Sequence, residues 1–109
     1  MVQYIMYKIV CKDLNITDCY IGSTNNFKRR LRQHKHDCNN PNRKGYNKKL
    51  YTCIRLNGGW NNWNMIPINI YNNIEKYDAL KHERKLIEDL KASLNMNIPS
   101  RTKKEYYLK

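Results

Sequence analysis

The residues best suited to chemistry include a glutamate that interrupts the apolar stripe of a predicted helix. In LKHERKLIEDL, residues 80–90, Glu83 falls near the centre of an arc roughly 120° wide on the helical wheel. The same arc holds the apolar residues Ala79, Leu80, Leu86, Ile87, Leu90 and Leu94. An ionised carboxylate that faces a core is costly unless a positive charge accompanies it. We therefore expect a partner for Glu83.

A second candidate group is Arg30 and His34, which stand one turn apart on the predicted helix FKRRLRQHKH, residues 27–36. Because Phe27 and Leu31 mark the core side, the pair is expected at the border between core and surface, where a cleft would open. The planar fork of arginine suits two phosphate oxygens, and histidine can transfer a proton near neutral pH. A solvated basic helix without a specific role is the alternative interpretation.

The groups around this pair favour an anionic ligand. Gly22 precedes the helix and lets the backbone turn or approach a ligand closely, and free N–H groups at a helix start attract anions. Four further cations spread around the helix, which suits diffuse attraction of phosphates: Lys28, Arg29, Arg32 and Lys35. An internal glutamate, an Arg–His pair and tyrosines on neighbouring strands together suit metal-assisted phosphodiester hydrolysis, in which a divalent cation polarises a phosphoryl oxygen.

The elements that must position these residues follow from hydrophobic periodicity and turn signals. The pattern predicts strands over 4–11, 19–22 and 62–71, and helices over 27–36, 47–57 and 75–93. Asn25 or Asn26 would cap the first helix, and Gly58 with Gly59 would end the second, whose inward residues would be Leu50, Cys53, Ile54 and Leu56. Pro67 implies an edge position or a bulge for the last strand.

The predicted order β-β-α-α-β-α describes a small α+β domain, with a mostly antiparallel three-stranded sheet and helices packed on it. We expect one domain over residues 1–99 and a basic tail over 100–109. Because side chains alternate along a strand, Tyr7 and Tyr20 share a face only if the first hairpin pairs odd residues with even ones. Pairing Lys12 with Thr17 satisfies that condition, whereas pairing Cys11 with Cys19 does not unless a bulge intervenes.

Net charge limits the class of partner. The 109 residues include 21 Lys+Arg and 9 Asp+Glu, a net charge of +12. This favours nucleic acid over a membrane, because no apolar stretch is long enough to span a bilayer and no signal-peptide pattern is present. The expected location is intracellular, in cytoplasm or nucleus. The four cysteines are widely spaced and are expected to be reduced thiols rather than zinc ligands.

Over residues 4–99 the sequence resembles the GIY-YIG endonuclease family. The second signature tripeptide is present as Tyr20-Ile21-Gly22, and the first is altered to Ile5-Met6-Tyr7, which retains the tyrosine. Arg30 and His34 follow at the family's spacing. Glu83 corresponds to the family's metal-binding glutamate, and Asn97 to an asparagine often found beyond the last helix.

The resemblance implies a divalent-metal-dependent DNA endonuclease in which Glu83 binds one Mg²⁺ or Mn²⁺. Tyr7 would act as general base toward the attacking water, or organise that water near the metal. Tyr20 and Arg30 would hold and stabilise the scissile phosphate with help from His34, and Asn97 would shape the site or contact phosphate. Members of the family cut DNA with one such site per strand.

Two departures qualify this expectation. The loss of glycine from the first tripeptide predicts a narrower site at Ile5, so a non-catalytic nucleic-acid-binding module is the alternative function. No separate specificity domain fits in 109 residues, which predicts weak sequence preference, recognition of DNA shape, or specificity supplied by a protein partner or homodimer. The segment GGWNNWN carries Trp60 and Trp63, which would either stack on a base or be buried.

Overall fold

The sheet has three antiparallel strands in the order β2-β1-β3. The computed structural model describes residues 2–95. Its elements are β1 (Val2–Cys11), β2 (Cys19–Thr24), α1 (Phe27–Asn39), α2 (Lys49–Leu56), a short 3-10 helix (Trp60–Asn62), β3 (Trp63–Ile74) and α3 (Lys76–Asp89). The predicted α+β class and the order β-β-α-α-β-α are confirmed. Asn97 and the predicted tail over 100–109 lie outside the described residues.

The register of the first hairpin puts the two signature tyrosines on one face. Tyr7 stands opposite Gly22 and Ile9 opposite Tyr20, so odd residues pair with even ones, which is the condition for both tyrosines to share a face. Residues directly opposite each other on antiparallel strands project to the same side of the sheet. Both phenols therefore face α1 and α2, and Ile21 projects to the other face.

Helices pack on both faces of the sheet. On the tyrosine face, β1 forms the main core with residues of α1 and α2, chiefly Tyr7, Ile9, Cys38, Leu50, Tyr51 and Ile54. On the other face, α3 lies against β2, where Ile87 packs with Ile21. On the central strand β1, Tyr7 and Ile9 are completely buried on the tyrosine face, and Met6 is completely buried on the other face. No helix within the described part of the chain is long and apolar enough to cross a membrane.

β3 is an edge strand, and its pairing with β1 is irregular near Pro67. Met6 pairs with Asn69 but the next residue, Tyr7, pairs with Pro67, so one residue of β3 is left out of the ladder. Proline has no N–H to donate, so it is confined to edges and bulges. The prediction of an edge position or a bulge is confirmed, and both features are present.

The sequence-based boundaries differ from the structure at the ends of two helices. α1 continues to Asn39, which buries Cys38, and α3 ends at Asp89 instead of residue 93. Beyond α3, Lys91 has a positive φ of 51° and the chain folds back, so Leu94 is buried outside the helix. Leu90, predicted to face the core, is 46% exposed.

The predicted inward position of Leu56 is wrong, since its side chain is 79% exposed. Leu56 is the last residue of α2 and lies two positions after buried Ile54, which places it on the opposite face of the helix. The predicted end of this helix is confirmed, because Gly58 and Gly59 both adopt positive φ (96° and 79°). Asn26 is the cap of α1, and its side chain accepts a hydrogen bond from the Arg29 N–H.

Candidate active site

Two cavities share the three side chains Tyr20, Arg30 and Glu83. The first, called here the helix-side cavity, has a volume of about 200 Å³ and lies between α1, α2 and the segment after α3. The second, called the strand-end cavity, has a volume of about 390 Å³ and lies between the end of β2 and the start of α3. A phenol, a guanidinium and a carboxylate, which are far apart in sequence, therefore meet at one site.

Glu83 reaches this site because the stripe that carries it packs α3 along β2. Its neighbours on the stripe, Ala79 and Ile87, are buried, and Glu83 itself is only 8% exposed. The Ser23 hydroxyl donates a hydrogen bond to Glu83 Oε1. Burial raises the pKa of the Glu83 carboxyl, and the hydrogen bond from Ser23 and the nearby Arg30 charge oppose that rise.

Arg30 is the half-buried cation of the site. Its Nε donates a long hydrogen bond of 3.4 Å to the Tyr7 hydroxyl, and its Nη1 donates to Gln33 at 3.2 Å. Among residues 2–95 neither Arg30 nor Glu83 forms an ion pair within 4 Å. Glu83 is thus buried and Arg30 half-buried, and neither charge is neutralised by direct contact within the described residues. The guanidinium is available to an anion and the carboxylate to a cation.

Tyr7 is completely buried, whereas Tyr20 lines both shared cavities. The Tyr7 hydroxyl lies 2.7 Å from His34 Nε2. Burial is the main reason that the pKa of each phenol is raised, and the next cause for Tyr20 is the Glu83 charge. The two phenols therefore have different surroundings. Tyr20 can contact a ligand bound in either cavity, whereas Tyr7 is buried next to the site and contacts His34 and Arg30.

Gly22 makes room for the Tyr7 phenol. It is buried in the extended strand β2, and a Cβ added there would overlap Cζ and the hydroxyl of Tyr7. The glycine of the second tripeptide is thus required by side-chain packing across the hairpin and not by an unusual backbone turn. Gly22 also lines the strand-end cavity, as its predicted role in substrate binding requires.

His34 lies deeper than predicted, since it is only 3% exposed. Its Nδ1 lies 2.7 Å from the Tyr51 hydroxyl, so the imidazole is held between two phenols. Burial, assisted by the positive charge of Arg30, lowers the pKa of His34 to about 4. The imidazole is therefore neutral at physiological pH.

The remaining predicted binding residues lie around the site. Lys28, Arg29 and Arg32 are exposed on α1 and line neither shared cavity, although Arg29 reaches a smaller cavity that Arg30 also lines. Ile5 pairs with Thr24 and Ile70 and lines neither shared cavity, so it does not narrow them as predicted. Of the two tryptophans, Trp63 is buried, and the Trp60 ring stacks near His34 with 6.5 Å between centroids.

Sequence reasoning missed three residues that shape the site: Ser23, Tyr51 and Asn95. Strand alternation could have indicated Ser23, which follows Gly22 and must project toward α3. Tyr51 is adjacent to Leu50 and one turn before Ile54, so the helical wheel places it inward. Asn95 had no such signal; its side chain accepts from the Ile21 N–H and donates to the Ile21 carbonyl, and it lines the helix-side cavity.

The donor set at Glu83 fits a hard divalent cation that keeps most of its own water. Within residues 2–95 no cluster of three or more His, Cys, Asp or Glu side chains could enclose a metal ion. Mg²⁺ is commonly held by one or two carboxylates together with waters and substrate phosphates. A buried, unpaired carboxylate with a hydroxyl beside it and open cavity space in front fits that pattern.

The match to a known family agrees with this geometry. The family model described as the GIY-YIG catalytic domain matches residues 3–97, which is nearly the whole chain. No curated protein and no solved structure gives a significant match. With both tripeptide tyrosines, Arg30, His34 and Glu83 gathered at one site, the chain belongs to the GIY-YIG family of nucleases.

Proposed function

We propose that this protein is a divalent-metal-dependent endonuclease that hydrolyses phosphodiester bonds of DNA, with little intrinsic sequence preference. The observation that carries the proposal is that buried Glu83 and half-buried Arg30, neither of which forms an ion pair within residues 2–95, lie on cavities that Tyr20 also lines. A phosphodiester bound with a divalent cation supplies the two opposite charges that this arrangement needs.

In this proposal Glu83 holds one Mg²⁺ or Mn²⁺, and the Ser23 hydroxyl orients the carboxylate. When bound, the cation supplies Lewis-acid polarisation of the phosphate and lowers the pKa of water beside it. Arg30 stabilises the negative charge that develops on the phosphate, since no ion pair from residues 2–95 occupies its guanidinium. Tyr20 orients the phosphate from the wall that the two cavities share.

Tyr7 takes part in proton transfer through His34. Because Tyr7 is buried and its pKa is raised, it does not act as a free phenolate. It can accept a proton from the attacking water only while its own proton passes to His34 Nε2, 2.7 Å away. For water to reach the phenol, the Arg30 side chain, whose Nε donates to the Tyr7 hydroxyl, must turn toward the phosphate.

The distribution of charge supports nucleic acid as substrate. Residues 24–62 contain ten Lys or Arg and one acidic residue, a net charge of +9. A third cavity, lined in part by Arg43, Lys44 and Lys48, shares Gln33, Asp37 and Lys48 with the helix-side cavity. A phosphate backbone that leaves the scissile site along this side passes Lys48, Lys44 and Arg43, of which Arg43 is paired with Asp37, and such cations suit sequence-independent binding.

The test is incubation of supercoiled plasmid with the protein and Mg²⁺ or Mn²⁺, followed by separation of nicked and linear products. The proposal predicts nicking that requires the cation and is absent when EDTA replaces it. Products that form equally with EDTA would contradict the metal requirement. Linear product that appears only at high protein concentration would indicate that two copies, one per strand, make a double-strand break.

A non-catalytic basic binding module is the second candidate, and the complete burial of Tyr7 favours it. It predicts salt-dependent binding of DNA without cleavage under any divalent cation. The plasmid assay together with a binding measurement at about 50 mM salt separates the two candidates. RNA of the same sequence in the same assay tests the assignment of DNA as substrate.

A further inference from the structure

Three buried side chains from three different elements form a continuous hydrogen-bonded chain. The Tyr7 hydroxyl on β1 lies 2.7 Å from His34 Nε2 on α1, and His34 Nδ1 lies 2.7 Å from the Tyr51 hydroxyl on α2. None of the three is more than 3% exposed. Tyr51 lies outside both signature tripeptides, yet it is the member of the chain that lines the helix-side cavity together with His34.

The direction of the hydrogen bonds follows from the burial of Tyr7. A buried hydroxyl proton without an acceptor carries a large desolvation cost. Arg30 Nε can only donate to Tyr7, so among residues 2–95 His34 Nε2 is the acceptor within hydrogen-bond distance of that phenol. The Tyr7 O–H therefore donates to Nε2.

The opposite nitrogen of His34 must then carry the imidazole proton. A neutral imidazole has one N–H, and the lowered pKa of His34, about 4, keeps the ring neutral. Nδ1–H donates to the Tyr51 oxygen, which leaves the Tyr51 hydroxyl proton directed to the helix-side cavity. That cavity has a volume of about 200 Å³ and a polar wall that includes Lys48, Asp37 and Gln33, so it can hold water.

We propose that Tyr51 is a positioning residue at the outer end of a proton relay that carries the proton of the attacking water from Tyr7 through His34 into the helix-side cavity. The inference rests on the proposed nuclease function and extends it to a residue of α2. The relay has a physical reason. A buried imidazole beside the positive charge of Arg30 cannot hold a second proton, so His34 must release one proton as it receives another.

The relay balances as four coordinated transfers. The water O–H bond breaks, its proton joins the Tyr7 oxygen, and its electron pair forms the new P–O bond. The P–O bond to the leaving nucleotide oxygen breaks at the same time, and that oxygen takes a proton from solvent water. The Tyr7 proton moves to His34 Nε2, the Nδ1 proton moves to the Tyr51 oxygen, and the Tyr51 hydroxyl proton moves to a water in the cavity. Every side chain ends neutral, and the reverse transfers restore the resting tautomer after product release.

The test compares Tyr51→Phe with Tyr46→Phe, which removes a tyrosine hydroxyl from the loop before α2, outside the relay. We expect Tyr51→Phe to lower the single-turnover cleavage rate by about ten- to a hundredfold, while the Kd for DNA stays within about twofold. The solvent deuterium isotope effect should also fall, since fewer protons move in the slow step. Tyr46→Phe should match wild type in all three measurements.

A second measurement tests the direction of the relay in the resting protein. Nitrogen-15 NMR of the histidine side chains should show His34 protonated at Nδ1 and accepting at Nε2; protonation at Nε2 instead would overturn the relay. Equal cleavage rates and isotope effects in wild type and Tyr51→Phe would overturn it while the nuclease function stands. A wild-type protein that cuts no nucleic acid overturns both proposals.

Discussion

Two segments of the molecule differ sharply in charge, and both contribute side chains to the candidate site. The basic segment, residues 24–62, holds α1 and α2 and has a net charge of +9. The neutral segment, residues 63–95, holds β3 and α3, and its five Lys or Arg residues are matched by five Asp or Glu. The first 22 described residues, 2–23, are also balanced, with two of each. All of the excess charge of the described chain is therefore in the basic segment.

This difference in charge assigns different roles to the two segments. The basic segment would attract the substrate, and the neutral segment would supply the carboxylate that the reaction needs. The basic segment supplies Arg30 and exposed cations that would attract a phosphate backbone. The neutral segment supplies Glu83, whose carboxylate would be neutralised by direct ion pairs if it lay among those cations. Placing the carboxylate on a separate helix keeps it free for a divalent ion.

The largest effect on cleavage is expected from Glu83→Gln, which removes the carboxylate charge at the site and preserves the shape of the side chain. Cleavage of supercoiled plasmid with Mg²⁺ should fall by on the order of a thousandfold or more, because the cation no longer has its carboxylate ligand. The matched control is Glu88→Gln, which alters an exposed carboxylate paired with Arg84 on the same helix. Cleavage by Glu83→Gln at the Glu88→Gln rate would contradict the assignment.

Arg30→Ala should reduce the cleavage rate much more than the affinity for DNA, and so distinguish these two roles within the basic segment. We expect single-turnover cleavage to slow by about a hundredfold, because the guanidinium stabilises charge on the phosphate in the transition state. The Kd for DNA should change far less, since Arg30 is one of many cations. Arg29→Ala removes a neighbouring exposed cation and should leave the cleavage rate near wild type; equal reductions in rate and affinity for Arg30→Ala would argue against a catalytic role.

The burial of His34 predicts that acid destabilises the fold. Its folded pKa of about 4 lies below its ordinary value of 6.5, so the unfolded chain binds more protons between those two values. The free energy of unfolding should therefore fall as pH drops from above 6.5 toward 4, by on the order of 3 kcal/mol from this group.

Denaturant titrations at several pH values would measure this effect. His34→Gln should reduce the pH dependence relative to wild type, whereas His36→Gln, which alters an exposed histidine on the same helix, should retain it. Identical pH profiles for wild type and His34→Gln would show that His34 titrates normally in the folded protein. The comparison of variants also separates His34 from Glu83, whose raised pKa contributes with the opposite sign.

The smallest effect is expected on the salt dependence of DNA binding, when two exposed cations are neutralised in one segment or in the other. Replacing Arg29 and Arg32 by Gln should reduce the slope of log K against log salt by about 0.9 for each phosphate that the variant no longer neutralises. Replacing Lys81 and Lys85 on α3 by Gln should leave that slope unchanged, although the net charge falls equally. Equal changes in slope would mean that DNA binding depends on total charge and not on the basic segment.

Local patterns in the sequence predicted much of this arrangement. Periodicity predicted the order of elements, and strand alternation, which is a local property, gave the pairing condition under which Tyr7 and Tyr20 share a face. The position of Glu83 on an apolar stripe predicted a buried carboxylate for the same reason. The missing N–H of Pro67 predicted an edge position or a bulge for the last strand.

Other features depended on packing between distant elements. His34 was expected at a border, but α2 covers it and supplies Tyr51, 17 residues away, as its partner. The asparagine that reaches β2 is Asn95, at a sequence separation of 74 from Ile21, because the chain folds back after Lys91. No helical or strand period contains such long-range contacts, so single-sequence reasoning could not find them.

The most direct test of the central claim is the location of the divalent cation. Crystals grown with Mn²⁺ and a short DNA duplex, with diffraction measured at the manganese edge, would place the metal by its anomalous scattering. We predict a peak within coordination distance of a Glu83 carboxylate oxygen and next to a phosphate that Arg30 contacts. A substrate complex with no manganese at Glu83, under conditions that support cleavage, would contradict the proposal.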